Sequence, residues 1–356
     1  MLIQAVIMNF NVVNQKTGNI FTVDESETLL DGALRQGSAF NYSCRSGSCG
    51  SCQAVLVSGE VDPGEFSAKA LSATAQAAGG ILLCQARAQS DLVIEATELP
   101  PGVALPIRTL PCRVIELEKA CHDVMVLHLK LPQNQAFDYL PGQYVDILLR
   151  DGRRRSFSIA NAAGTDGNLE LHVRHVPGGH FTCQVFETMK VRELLRFQGP
   201  FGTFFLREEP KMPAILVAGG TGLAPIKAML EAALAQNTTR PFHLFWGVRS
   251  RADLYFDEQV KIWEQDHANL DYTPVLSEPK EADGWHGETG WVHEAVLQRF
   301  PDLTGVEIYA SGPPPMIEAL KIPFAEHGLS PERLFFDSFE FTADALYTSI
   351  HSNACY

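Results

Sequence analysis

Apolar and polar residues alternate between Asn9 and Val23 on either side of Lys16-Thr-Gly-Asn19, the pattern of a β-hairpin and its turn. The period then lengthens. Leu29, Leu30, Ala33 and Leu34 share one helical face within residues 27–36, and Gly37 supplies the stop. Strands are expected at 53–57 and 91–95, which makes a small β-rich unit wrapped around one helix. Residues 99–106, Leu-Pro-Pro-Gly-Val-Ala-Leu-Pro, form a semi-extended proline-rich boundary. From Pro111 to about Leu206 the pattern reads as strands and turns throughout, punctuated by Gly and Pro, which predicts an antiparallel barrel. After Pro213 short apolar runs at 214–218, 242–246 and 306–310 each lead into a glycine-bearing turn, and 224–235 is a helical run. Strands alternating with helices predict a parallel α/β sheet.

Composition changes this picture little. A chain of 356 residues suffices for two or three domains, and 46% hydrophobic with 20% charged residues is ordinary for a water-soluble protein. A net charge of −14 argues against a nucleic-acid partner, because phosphate binding needs a basic surface. Residues 8–98 hold ten Asp/Glu against five Lys/Arg, so the first unit is itself acidic. The opening stretch from Met1 to Met8 is apolar but too short to span a membrane, and Met8 is an alternative start. The expected organisation is an iron–sulfur module at 8–98, a linker at 99–107, a barrel at 108–208, a nucleotide-binding domain at 209–342 and a tail at 343–356.

Candidate chemistry begins at Tyr42-Ser-Cys-Arg-Ser-Gly-Ser-Cys-Gly-Ser-Cys52. Cys44, Cys49 and Cys52 stand in a C-x4-C-x2-C pattern with Cys84 downstream, the spacing of a plant-type [2Fe–2S] cluster. A zinc site would show two C-x2-C pairs, and only one is present. Gly47 and Gly50 let the backbone close tightly on the sulfurs. Cys112, Cys121, Cys183 and Cys355 show no bridging pattern and read as free thiols in a reducing cytoplasm.

Arg155-Ser156-Phe157-Ser158 sits in the barrel region, where a guanidinium suits a flavin pyrophosphate; an exposed basic strand would carry the same residues. In Leu171-His-Val-Arg-His-Val-Pro-Gly-Gly-His-Phe-Thr182, the run from Gly178 to Thr182 offers backbone donors for a diphosphate, while His172, His175 and His180 also read as plain surface histidines. Gly219-Gly-Thr-Gly-Leu-Ala-Pro225 follows a strand and opens a helix, so it aims N–H groups at an anion. Gly247 and Arg249 after the next strand, and Ser311-Gly-Pro-Pro-Pro-Met316 after a later one, gather at the same carboxyl edge, where ligands bind in such sheets.

In this order the motifs resemble the ferredoxin–NADP reductase superfamily, fused to an N-terminal ferredoxin module. The likeness runs from about Met8 to Phe341 and extends to oxygenase reductase components and to the CDP-6-deoxy-glucoseen reductase group. The resemblance implies a multidomain protein: a β-grasp ferredoxin-like module, an antiparallel β-barrel FAD domain and an α/β parallel-sheet nucleotide domain. It implies a reductase passing electrons from NADH (or NADPH) through FAD and a [2Fe–2S] cluster to a partner protein. That partner is first a Rieske-type terminal oxygenase, and second a deoxysugar dehydrase; a non-catalytic electron carrier is the remaining alternative. By position, Arg155 and Ser156 would bind FAD, Phe157 would pack on the flavin and Ser158 would hydrogen-bond N5. His172, Arg174, Gly179, His180, Phe181 and Thr182 would complete the flavin site. Gly220, Thr221, Gly222, Pro225, Gly247, Arg249, Gly312, Pro313 and Met316 would hold the nicotinamide nucleotide, with Ser311 and Phe339 beside the reacting rings. Phe157 stands where Tyr is commoner, and Ser311 where many relatives carry Cys; Phe339 also reads as a core aromatic.

Overall fold

A computed structural model describes residues 8–100, 102–164, 167–208 and 212–339. The opening segment before Met8, the last residues of the expected nucleotide domain and the tail with Cys355 lie outside the described residues. The chain divides into two compact units, Met1–Pro106 and Ile107–Tyr356.

The first unit contains β1 (Asn9–Asn14), β2 (Ile20–Asp24), α1 (Leu29–Arg35), β3 (Gln53–Ser58), β4 (Val61–Asp62), α2 (Ala73–Ala77), β5 (Gly80–Leu82), β6 (Arg87–Ala88) and β7 (Leu92–Glu95). The expected hairpin forms: β1 and β2 pair antiparallel, with Gly18 N donating to Asn14 O at 2.8 Å in the turn. Val12, Phe21 and Val23 alternate inward and are fully buried. β1 also pairs in parallel with β7, giving the mixed sheet order β2-β1-β7-β3-β5. Thr28 caps α1 by accepting from Asp31 N, and Leu29, Leu30 and Ala33 bury its inner face. A Cβ on Gly32 would lie 2.4 Å from Val23 Cγ1, so the helix rests directly on β2. α2, absent from the one-helix expectation, is a single turn capped by Ser72 with no buried residue, too short to show a period.

The second unit opens with β8 (Arg108–Lys119), β9 (Val124–Lys130), β10 (Tyr144–Leu148), β11 (Arg154–Ser158), β12 (Asn168–Arg174), α3 (His180–Glu187) and β13 (Leu194–Phe201). The strand order is β11-β10-β13-β8-β9-β12, antiparallel throughout, and a bridge between Ile159 and Leu171 joins the two ends into a barrel. Val114, Leu127, Val145, Leu171 and Phe197 fill it. The expectation of strands and turns alone is corrected by α3. Phe181 and Val185, one helical turn apart, both drop into the barrel core, which makes the segment a helix.

Next come β14 (Ala214–Gly219), α4 (Leu223–Ala235), β15 (Phe242–Val248), α5 (Asp257–Asp266), β16 (Leu270–Leu276), β17 (Glu288–Thr289), α6 (Val292–Arg299), β18 (Glu307–Gly312), α7 (Pro314–Glu326) and β19 (Leu334–Ser338). The six strands are all parallel in the order β17-β16-β15-β14-β18-β19. Leu216, Leu244 and Trp246 face one helical layer with Ile226 and Leu230; Ile215, Val217 and Phe245 face the other with Ile317 and Phe324. Burial on both faces is why these strands read as unbroken apolar runs.

At the opposite end from the glycine turns, Arg240 is buried and pairs with buried Glu307. Its other nitrogens donate to Met212 O at 2.6 Å and Arg207 O at 2.9 Å, and Tyr309 OH donates to the same carboxylate at 2.7 Å. Removing one member of a buried pair strands the other charge. Glu307→Ala is therefore expected to destabilise the second unit by about 3–5 kcal/mol. Urea unfolding followed by tryptophan fluorescence measures this, and a change below about 1 kcal/mol would show the pair to be dispensable.

Candidate functional site

The loop between α1 and β3 carries three cysteines, and the turn after β5 carries the fourth. Cys49, Cys52 and Cys84 are buried, while Cys44 is half-buried. The four thiols already interact in two pairs. A hydrogen bond with Cys49 holds the Cys44 thiol below its usual range, and one with Cys52 does the same for Cys84. The partner thiols Cys49 and Cys52 are pushed upward correspondingly. Donors already point at the sulfurs: Ser46 N to Cys44 Sγ at 3.4 Å, Ser51 N to Cys49 Sγ at 3.5 Å and Gln85 Nε2 to Cys84 Sγ at 3.6 Å. Gly47 has φ +74°, and a Cβ there would meet Glu65 O at 2.6 Å; at Gly50, with φ +79°, it would meet Ala70 O at 2.7 Å. Four converging thiols with backbone donors fit a thiolate-bound iron–sulfur cluster.

In the barrel, Arg155 to Ser158 occupy β11. Ser156 Oγ donates to Asp146 Oδ1 at 2.6 Å, so that hydroxyl is engaged within the barrel. Ser158 is buried and donates to Asp337 Oδ2 on β19 at 3.3 Å. The rings of Phe157 and Phe181 stand 5.4 Å apart. Gly179 is the N-cap of α3 with no side-chain cap, so the first N–H groups of this eight-residue helix are left to an incoming acceptor. Thr182 Oγ1 accepts from Val176 N at 3.1 Å and lies 3.1 Å from the Gly179 carbonyl oxygen; it shapes the turn rather than extending from it. His180 is exposed.

The glycine turn after β14 and the proline turn after β18 fit into one another. A Cβ on Gly222 would fall 2.0 Å from Ser311 O, and one on Gly219 would fall 2.5 Å from Met316 Sδ. Met316 thus packs the two turns together. Ser311 is fully buried, and its Oγ has no hydrogen-bond partner. Thr221 and Pro225 are buried at the start of α4. Phe339 N donates to Gly312 O at 2.9 Å, which ties the end of β19 to the same edge. Gly247 serves another purpose: a Cβ there would strike Val292 Cβ at 2.8 Å, so it admits α6.

Arg249 and Arg174 are both drawn to Asp123 in the β8–β9 turn, at 3.2 and 3.3 Å, and Arg249 also lies 3.6 Å from buried Asp253. Arg174 stands over the glycine turn, where a Cβ on Gly220 would meet its Nη1 at 2.7 Å. His172 is placed differently from a cofactor contact. Its ring is enclosed, with Nε2 2.7 Å from Glu170 Oε1 and Nδ1 2.8 Å from Tyr255 OH. Burial lowers its pKa, against the pull of Glu170. Burial works to raise Glu170 too, but the hydrogen bond from His172 and the charge of Lys227 win and hold it at about 2. Asp123, Lys227 and Asp337 were not singled out from the sequence. Each makes its decisive contact with a residue more than fifty positions away, and no local spacing signals that.

Comparison with known proteins agrees with this arrangement. Residues 12–89 match the 2Fe-2S iron-sulfur cluster binding domain, 111–206 the oxidoreductase FAD-binding domain and 216–321 the oxidoreductase NAD-binding domain. The CDP-6-deoxy-L-threo-D-glycero-4-hexulose-3-dehydrase reductase of Yersinia pseudotuberculosis is 42% identical over 332 residues, covering 93% of this chain and 99% of the relative. The reductase component of phenol 2-monooxygenase from a Pseudomonas species is 35% identical, covering 97% and 98%. Among solved structures, the Amycolatopsis cytochrome P450 reductase GcoB superposes with a TM-score of 0.78 at 33% identity, covering 93% and 98%. No helix among the described residues is long and apolar enough to cross a membrane. The chain belongs to the three-domain iron–sulfur flavoprotein reductases, oxidoreductases that use NAD(H), FAD and a [2Fe–2S] cluster to transfer electrons.

Proposed function

We propose that the protein delivers electrons from NADH to a separate protein acceptor, with the cysteine loop as the exit. Bound together, NADH would supply a hydride, FAD would split its two electrons, and the cluster would pass them on singly. The observation that carries the exit is the burial pattern of the loop: Cys44 alone among the four ligands reaches the surface. Cys44, Cys49, Cys52 and Cys84 hold the cluster in this reading. Arg155 and the α3 N-terminus bind the FAD diphosphate, Phe157 packs on the flavin with Phe181 beneath it in the barrel core, and buried Ser158 presents its hydroxyl to the ring with Asp337 behind it. Gly220, Thr221, Gly222 and Pro225 cradle the nicotinamide nucleotide, with Ser311, Gly312, Pro313 and Phe339 across from them. The domains run 8–98, 108–208 and 209–342, and the protein works in the cytoplasm, where unbridged thiols persist.

The acceptor is a deoxysugar dehydrase in our first reading, supported by 42% identity to a hexulose dehydrase reductase along nearly its whole length. This reverses the order of preference drawn from sequence. An oxygenase, of the Rieske kind or another, is the second reading, supported by the phenol monooxygenase reductase component at 35% identity. NADH is favoured over NADPH because Asp123 and Asp253 neutralise Arg249, the group best placed to meet a 2′-phosphate.

Three outcomes follow. Cys84→Ser should lose the cluster's reduced-state paramagnetic signal yet retain flavin; an unchanged signal would remove Cys84 from the ligand set. Asp123→Ser should raise kcat/KM for NADPH about fivefold, the scale of one partly exposed charge contact of ~1 kcal/mol, and a parent that already prefers NADPH would sink the specificity argument. A fragment starting at Ile107 should reduce ferricyanide with NADH but fail to reduce the native acceptor. Equal rates of acceptor reduction by fragment and full chain would mean that electrons do not leave through the cluster.

A further inference from the structure

A buried polar cluster joins the barrel to the nucleotide sheet, and no cofactor contact accounts for it. Lys227 lies on α4 two residues past Pro225, and its side chain is only 4% exposed. An ammonium has three donors, and three acceptors meet them: Ala160 O at 3.0 Å, Glu231 Oε1 at 2.6 Å and Glu170 Oε2 at 3.3 Å. Glu231 Oε2 accepts in turn from Ala162 N at 3.1 Å. Glu170 Oε1 fixes a proton on His172 Nε2, which leaves Nδ1 to accept from Tyr255 just before α5. Desolvating these charges is costly, and apolar side chains of similar volume would hold two domains together at least as well. What the polar cluster adds is direction, because each bond is satisfied in only one geometry.

We propose that Lys227, with Glu170, His172 and Tyr255, is a positioning device that sets where the nicotinamide stands relative to the flavin. This rests on the cofactor placements proposed above. Ala160 follows Ser158 by two residues on the flavin side, and Lys227 follows the glycine turn by one helical turn on the nucleotide side. Glu170 and His172 share β12 with Arg174, which overhangs Gly220. The cluster is therefore a short rigid route between the two groups that must meet, and hydride transfer is steeply sensitive to their spacing.

The test is anaerobic stopped-flow reduction of the flavin by NADH in the full-length holoprotein. The double variant Lys227→Met/Glu170→Gln removes one charge of each sign. It should lower the limiting reduction rate about 10- to 100-fold, the cost of a misplacement near 1 Å, while the Kd for NADH stays within about threefold and FAD content is unchanged. Tyr255→Phe, which deletes one hydroxyl, should lower the same rate about threefold or more with the same split. A limiting rate equal to the parent's in flavin-loaded variants would overturn the proposal. So would a loss confined to NADH affinity, which marks weakened binding rather than misplacement. If the double variant fails to fold, Tyr255→Phe decides by the same criteria. Failure of NADH to reduce the parent's flavin would instead overturn the cofactor placements, which separates the two readings.

Discussion

A Cβ on Gly222 would sit 2.0 Å from the Ser311 carbonyl oxygen, and this steric limit organises the second unit. Only bare backbone lets the turn after β14 lie against the turn after β18. Because the two turns touch, the N-terminus of α4 and buried Ser311 lie together at the carboxyl edge of the sheet. Everything further out is referenced to that contact. Met316 wedges it from the α7 side, Phe339 is tied to Gly312, and α4 runs from it back to the barrel through Lys227.

Much of this was legible in the sequence, and the reason is locality. The cysteine spacing lies within nine residues of chain, so three of the four thiols are brought together by one loop whatever the rest does. Alternation shows the β1–β2 hairpin because one face is buried, and the apolar runs of β14, β15 and β18 show because both are. α3 was missed because eight residues offer only two inward positions, Phe181 and Val185, and two points do not define a period. From its neighbours His172 reads as a surface histidine, and the resemblance puts it at the flavin, yet its ring is buried and bonded to Glu170 and Tyr255. Arg249 reads from the sequence as a nucleotide contact at the carboxyl edge, and Asp123, over a hundred positions earlier, lies 3.2 Å from it. Charge partners at such separations leave no mark on local pattern.

The two units manage charge differently. In the first, ten acidic residues against five basic ones leave an excess that no internal pairing removes. Such an excess attracts cationic surfaces at long range, an effect that weakens as salt rises. In the second, the charges nearest the barrel–sheet junction are consumed inside it, by Asp123 against two arginines and by Lys227 against two carboxylates. One set stays uncompensated; the other is spent in internal pairs.

The bridge between Ile159 and Leu171 has a consequence for how the barrel breathes. β11 pairs with β10 along its whole length, but meets β12 across the closing seam through that isolated bridge. Side chains reinforce the bridge: Asn161 Oδ1 accepts from Glu170 N at 2.9 Å, Asn161 Nδ2 donates to Asn168 O at 3.1 Å, and Lys227 Nζ reaches both Ala160 O and Glu170. The last of these comes from α4, outside the barrel. Closure of the cylinder therefore depends in part on a helix of the nucleotide sheet, and loosening α4 would register as slackening of the barrel beside Ser158.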